Sequence, residues 1–286
     1  MPEPAAEVHI DEVLVANLLR EQHPDLAGLP IQPVGSGWDN AIFRLGPDLS
    51  VRLPRRALSV PLVLHEQRWL PVLAPGLSLP VPVPIRTGVP GSGYPWPWSV
   101  TAWFPGTTAE NLAAEDLGTV AGQLGTFVRS LHRPAPVDAP LNPYRGVPLA
   151  LRDQRTCSGV SALEGSHEAL LRAWSDALET PGWDGPPTWL HGDLHPLNLV
   201  VNHGRLSAVI DFGDVCAGDP ATDLAVGWML FPRSVRSLFQ QAVGVDPDTW
   251  RRGRGWAITL GVAWLAGGEG LSMIGRRALS AVLEDG

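Results

Sequence analysis

Apolar residues in this chain change their rhythm at about Pro105. Before that point they come mostly in short alternating runs bounded by Gly and Pro, and after it they recur at helical spacing. Val34-Gly-Ser-Gly-Trp-Asp-Asn-Ala-Ile-Phe-Arg-Leu reads as a glycine-containing turn entering a strand. Ser50-Val-Arg-Leu-Pro alternates again after the turn signal Gly46-Pro-Asp, so a hairpin is expected. Helical spacing over 11–20 and 62–73 flanks it, the proline-rich stretch 77–85 suits only a sheet edge or an extended connection, and 99–104 reads as a strand. Beyond Pro105-Gly106 helices are expected over 109–131, 160–178, 223–230, 234–242 and 250–282, the last divided by Gly267-Gly268. One short hairpin, Leu199-Val-Val and Ser207-Ala-Val-Ile joined through Asn202-His-Gly-Arg, interrupts them. The pattern predicts an α+β chain, a sheet-rich first third joined to a helical remainder, with no internal repeat.

Composition narrows the chemistry. With 286 residues, 44% of them hydrophobic and only 17% charged, the chain has enough apolar surface for a large core and is not disordered; its 31 glycines and 29 prolines punctuate rather than repeat. All 21 basic residues are arginine. The absence of lysine removes Schiff-base and pyridoxal chemistry of the usual kind and the Walker A phosphate loop. Two cysteines, Cys157 and Cys216, make no disulfide scaffold, and the first residues lack the basic and apolar regions of a signal peptide, so a reducing cytoplasm is expected. The longest nearly apolar stretch, 257–268, falls short of the roughly 18 residues of a membrane span and suits a buried helix; no membrane association is expected. Net charge is −8, with nine acids against seven arginines in 1–105 and twenty against fourteen in 106–286. That balance predicts no nucleic-acid partner and suits a cationic small molecule; oligomeric state is left open.

Two segments carry the chemistry. Residues 191–198 read His-Gly-Asp-Leu-His-Pro-Leu-Asn, residues 210–214 read Ile-Asp-Phe-Gly-Asp, and the short hairpin between them would bring them together. Phosphoryl transfer needs such a set: one carboxylate to meet an acceptor hydroxyl, and an amide oxygen with a second carboxylate to hold Mg²⁺ on nucleotide phosphates. A zinc site built on His191, Asp193 and His195 lacks a suitable third ligand nearby and leaves Asp-Phe-Gly unexplained.

On these motifs the chain resembles the aminoglycoside phosphotransferase family, antibiotic kinases with a two-lobed protein-kinase-like fold, over nearly its whole length. The resemblance implies an N-lobe over 1–105 with sheet, loop and helix for nucleotide, and a mainly helical C-lobe over 106–286 with the catalytic and metal-binding loops. It makes Asp193 the catalytic aspartate, Asn198 and Asp211 the metal ligands, and Phe212-Gly213 the turn that aims Asp211. Gly35, Ser36 and Gly37 fall where nucleotide phosphates lie beneath a flexible turn; a plain hairpin turn is the alternative. Arg52 stands where protein kinases place a phosphate-binding lysine, with Glu66 as its helix partner. A planar guanidinium can serve phosphate and carboxylate together. Ala102 and Phe104 fall at the junction where relatives bind the base through backbone groups, and the acid at Asp223 would brace the catalytic loop. His191 and Cys216 are expected to be packing residues. Asp39 and Asn40 are ambiguous between turn capping and nucleotide contact and stay outside the expected site.

The implied activity is transfer of the γ-phosphoryl group of Mg²⁺-bound ATP or GTP to a hydroxyl of a small molecule, with an aminoglycoside-type antibiotic as first candidate. Macrolides and choline- or homoserine-like metabolites are alternatives within the fold. A nucleotide-binding pseudokinase regulator is the alternative outside enzymes.

Overall fold

The computed structural model describes residues 4–164 and 167–285; the side chain of Ser36 lies outside that description. Helix α1 (Glu12–Gln22) starts where the Asp11 carboxylate accepts a hydrogen bond from Leu14 N at 2.8 Å, which satisfies one of the free amides of the first turn. Its buried stripe of Val15, Leu18 and Leu19 packs with the strands β1 (Ile31–Ser36), β2 (Asn40–Leu45) and β3 (Leu49–Pro54), so the predicted hairpin is present. Helix α2 (Val60–Leu73), β4 (Pro84–Gly88) and β5 (Trp98–Ala102) follow. The five strands form one antiparallel sheet in the order β1-β2-β3-β5-β4, with Arg52 opposite Ile42 on one side and Ser99 on the other. The proline-rich segment enters at the edge, as its missing N–H donors require.

From β5 the chain passes Gly106 into β6 (Thr107–Thr108), which does not stay with the large sheet. It pairs with β8 (Leu199–Asn202), Thr107 opposite Val201, in a three-stranded sheet completed by β9 (Arg205–Val209). Gly106 has φ +144° and no room for a side chain, since a Cβ would sit 2.2 Å from Val201 O. The β8–β9 turn takes positive φ at both His203 and Gly204, the geometry of a two-residue hairpin whose twist matches the strands.

Helices α3 (Leu117–Leu131), α4 (Asp153–Ser161) and α5 (Glu168–Glu179) precede β7 (Thr188–Leu190). After β10 (Cys216–Gly218), which pairs with β7, come α6 (Ala221–Leu224), α7 (Val226–Leu230), α8 (Arg233–Val243), α9 (Pro247–Trp264) and α10 (Glu269–Leu283). One core joins α2, α3, α8 and the β8–β9 hairpin through residues such as Leu70, Phe127, Val209 and Phe239. A second gathers Trp174, Trp228, Trp256 and Ala278 around α9. The chain thus forms a sheet-containing lobe and a mainly helical lobe. Among the described residues no helix is long and apolar enough to cross a membrane.

Two expected helices are corrected. Over 109–131 only Leu117–Leu131 is α-helical, after a 3-10 turn at Ala109–Asn111, because pairing on β8 holds Thr107 and Thr108 extended and buries Ala109. Over 160–178 there are two helices. α4 starts earlier, at Asp153, and is held by a 2.8 Å hydrogen bond between the buried Thr156 and Thr259 hydroxyls. The interruption falls beside Gly165-Ser166, a turn signal outside the described residues. The division of 250–282 occurs at the predicted glycines.

Candidate active site

Strand β7 delivers His191-Gly192-Asp193 to a loop whose backbone is fixed from beneath. Asp223, fully enclosed on α6, accepts hydrogen bonds from His191 N (2.9 Å) and Gly192 N (3.0 Å), and its Oδ2 lies 3.1 Å from His132 Nε2. Burial works to raise the Asp223 carboxyl, but His132, His191 and the donated amides outweigh it and hold it low. Gly192 has φ +83°, and a Cβ there would approach Asp214 O to 2.3 Å; no other residue fits the Gly position of His-Gly-Asp. His191 is a packing residue: its ring is 4.4 Å from that of Phe212, and Nε2 is 2.9 Å from Ile210 O.

Asp193 is about a quarter exposed, at 26%, and reachable from solvent. Its Oδ1 accepts from Arg145 Nη2 at 3.2 Å and its Oδ2 lies 3.3 Å from His195 Nε2. Burial pushes this carboxyl up, yet His195, Arg145 and His191 hold it well below the usual carboxylate range. Asn198 directs its amide nitrogen to Asp193 O at 2.9 Å, which leaves Oδ1 for another partner. The Asn198 backbone carbonyl accepts from Ile210 N at 2.9 Å, and this bond, with the contact of His191 Nε2 and Ile210 O, sets the two motifs side by side.

Asp211 follows directly. It is a non-glycine residue at φ +63°, a sparsely populated conformation that turns its half-exposed carboxylate (52%) away from the buried Phe212. Phe212 N donates to Glu66 Oε1 at 3.0 Å, and the same oxygen accepts from Arg52 Nη1 at 2.7 Å. Arg52 Nη2 reaches Asp211 Oδ1 at 3.0 Å. Burial raises the Glu66 carboxyl despite Arg52, whereas the two acids around Arg52 overcome its desolvation and raise its affinity for its proton.

The structure therefore brings together Asp193, Asn198, Asp211, Arg52 and Glu66. Gly35 and Gly37 lie at the exposed β1–β2 turn, where Gly37 N donates to Asn40 O (2.9 Å) and Arg55 Nη1 to Gly37 O (2.9 Å); Ser36 contributes backbone to β1. Asp39 acts as a turn anchor, accepting from Ser59 Oγ at 2.6 Å and Arg56 Nη2 at 3.1 Å. Ala102 closes β5 opposite Leu49, and half-buried Phe104 lies just before Gly106. Sequence reasoning missed Arg145, His132 and Asn142, whose Nδ2 donates to Asp214 Oδ1 at 2.6 Å. All three come from outside the motifs, Arg145 and Asn142 from a segment with no spacing signal and His132 from just past the end of α3. Burial and the neighbouring Asp193 raise the Asp214 carboxyl, and burial pushes the Cys216 thiol up. Among the described residues no group of three or more His, Cys, Asp or Glu is placed to hold a metal.

The family model described as "Phosphotransferase enzyme family" (APH) matches residues 30–256. The chain belongs to this family. An aminoglycoside 3'-phosphotransferase of Escherichia coli is 29% identical over 163 residues, 53% of this chain and 60% of the relative; the chain thus matches less than two thirds of that relative's length. A homoserine kinase of Gluconobacter oxydans is 29% identical over 157 residues, covering 53% of this chain and 48% of the relative. In three dimensions the chain is similar to wild-type aminoglycoside 2'-phosphotransferase-IIIa in its GDP complex, with TM-score 0.75 and 18% identity over 97% of this chain and all of that one. It is also similar to a macrolide 2'-phosphotransferase from Brachybacterium faecium, with TM-score 0.62 and 24% identity over 95% and 98% of the two chains. At such identities the likeness establishes the fold.

Proposed function

We propose that this chain transfers the γ-phosphoryl group of ATP or GTP to a hydroxyl of a small molecule, with an aminoglycoside-type antibiotic as the first acceptor to test. The observation that carries this reading is the Ile210 N to Asn198 O hydrogen bond, which joins the loop of Asp193 and Asn198 to the segment of Asp211, itself bonded to Arg52. The donor set fits Mg²⁺, a hard cation held by one or two carboxylates and completed by substrate phosphates. A half-exposed Asp211 and the oxygen of Asn198 supply that partial set. When bound, the ion would neutralise charge on the phosphates.

Asp193, ionised at neutral pH, orients the acceptor hydroxyl and takes its proton. Arg52, anchored by Glu66, offers its second nitrogen to phosphate oxygens in exchange for Asp211. Gly35, Ser36 and Gly37 cover the phosphates, and the backbone at Ala102 and Phe104 meets the base. The lobes divide at about 105/106. The acid surplus after residue 105 favours a polycationic acceptor in a cytoplasmic setting.

The test is a phosphorylation panel with ATP and GTP in which kanamycin, a macrolide and homoserine are acceptors. Phosphorylated kanamycin is expected, with Asp193→Ala losing about 10²–10⁴-fold in turnover and keeping its nucleotide affinity. Transfer only to the macrolide or homoserine would replace the acceptor, and nucleotide binding without turnover would replace the enzyme by a regulator.

A further inference from the structure

A cation from outside both motifs grips the catalytic loop. Arg145 lies in the connection between α3 and α4, with its side chain only 16% exposed. Its Nε donates to Gly192 O at 2.7 Å and its Nη2 to Asp193 Oδ1 at 3.2 Å, so one planar fork spans the carbonyl before Asp193 and one of its carboxylate oxygens. The connection is itself laced to the segment after Asp211. Ala217 N donates to Pro140 O (2.8 Å), Asn142 Nδ2 to Asp214 Oδ1 (2.6 Å), Gly146 N to Thr222 Oγ1 (3.0 Å) and Asp219 N to Gly146 O (2.9 Å). Arg145 is thus a fixed point rather than a wandering surface cation.

A loop staple would need only the Gly192 carbonyl. Contact with Asp193 has a cost for catalysis, because a cation on a carboxylate lowers its appetite for a proton and makes it a weaker base. It brings geometric control: with Oδ1 held by Arg145 and Oδ2 beside His195, the plane of the carboxylate is set before an acceptor arrives. We propose that Arg145 is a positioning residue for phosphoryl transfer, fixing the Asp193 carboxylate so that Asp193 contributes chiefly by orienting the acceptor hydroxyl rather than by strength as a base. The proposal rests on the assignment of Asp193 above.

The groups facing Asp193 are Arg145, His191, His195 and Asp214. Removing Arg145 should make Asp193 a stronger base and yet a poorer catalyst. Arg145→Ala, Arg145→Lys and Asp193→Ala are compared with wild type by turnover of Mg-ATP and Mg-GTP, with water as acceptor in one arm and, in the other, whichever of kanamycin, the macrolide and homoserine the panel above finds phosphorylated. Melting temperature is followed in parallel. Arg145→Ala is expected to lose about 10- to 100-fold in kcat with nucleotide KM unchanged, the effect of a carboxylate misplaced by a fraction of an ångström to an ångström. Arg145→Lys should restore only part of kcat, since a point charge cannot span both acceptors. Arg145→Ala with kcat within twofold of wild type, or with nucleotide KM rising as kcat falls, overturns the proposal while an inactive Asp193→Ala leaves the site intact. If wild type turns over no nucleotide in either arm, or Asp193→Ala is as active as wild type, the underlying assignment falls and the proposal with it.

Discussion

Asp223 holds the His191-Gly192-Asp193 loop from beneath, and its replacement measures what that brace contributes to stability. Its two oxygens accept from His191 N, Gly192 N and the His132 ring, all out of solvent. In Asp223→Ala two backbone amides and a ring nitrogen lose their acceptor, and each buried group left unpaired costs about 1–3 kcal/mol, so a loss of about 3–5 kcal/mol is expected once partial relaxation is allowed. Asp223→Asn should do little better, because whichever way the amide is turned its NH₂ group faces an N–H donor. The assay is urea unfolding of wild type and both variants at neutral pH, repeated toward acid. The folded-state value of Asp223 is depressed, so its contribution is complete above the unfolded carboxylate value of about 4 and disappears as pH falls through the folded value. The stability gap between wild type and Asp223→Asn should therefore close on acidification. A gap under about 1 kcal/mol at neutral pH, or one that widens toward acid, would refute the brace.

Arg52→Ala should leave Glu66 buried without its counter-ion and cost about 3–5 kcal/mol of stability along with nucleotide affinity. Adding Glu66→Gln should recover part of the stability, since Gln still accepts from Phe212 N; full additivity in the double variant would show that the pair does not act together. Asp211→Asn should weaken Mg-nucleotide binding and shift turnover to higher Mg²⁺, as seen by titrating Mg²⁺ at fixed nucleotide; an unchanged Mg²⁺ midpoint would remove Asp211 from the ligand set. Gly192→Ala should destabilise by at least about 1–2 kcal/mol from the left-handed backbone alone, read as a lower urea midpoint, and kcat should fall with it as the Asp214 carbonyl is pushed aside.

How much of this was legible in the sequence depended on whether a group's partner was close by along the chain. Asp193 and Asn198 share one loop, and Asp211 lies one hairpin further, so the motifs that carry the family resemblance could name all three. Arg52 and Glu66, 14 residues apart, are paired by the same resemblance, and the strand and helix that carry them bring them into contact. Arg145 sits 48 residues before Asp193 in a stretch with no periodicity, and His132 stands just past the end of α3, 91 residues before Asp223, so packing alone decides whom they meet. The fold divides similarly. Long alternating or amphipathic runs such as β2, β3, α8 and α10 announced themselves, whereas β6, β7 and β10 have two or three residues and exist only because a neighbour holds them. The false continuous helix over 109–131 has a related cause, since the residues just before it, Thr107 and Thr108, are held extended by β8.

The pairing of β6 with β8 also decides how the two lobes can move. A swivel between lobes usually needs a free length of chain, but here the strand just past Gly106 is zipped to the strand that begins one residue after Asn198. Any rotation of the large sheet toward the helices thus has its pivot against the β8–β9 hairpin, and the sheet works as a lever whose short arm is β8 itself. A nucleotide bound as proposed that draws the sheet down would press on this hairpin. Amide hydrogen exchange at Val200 and Val201 would register that load directly.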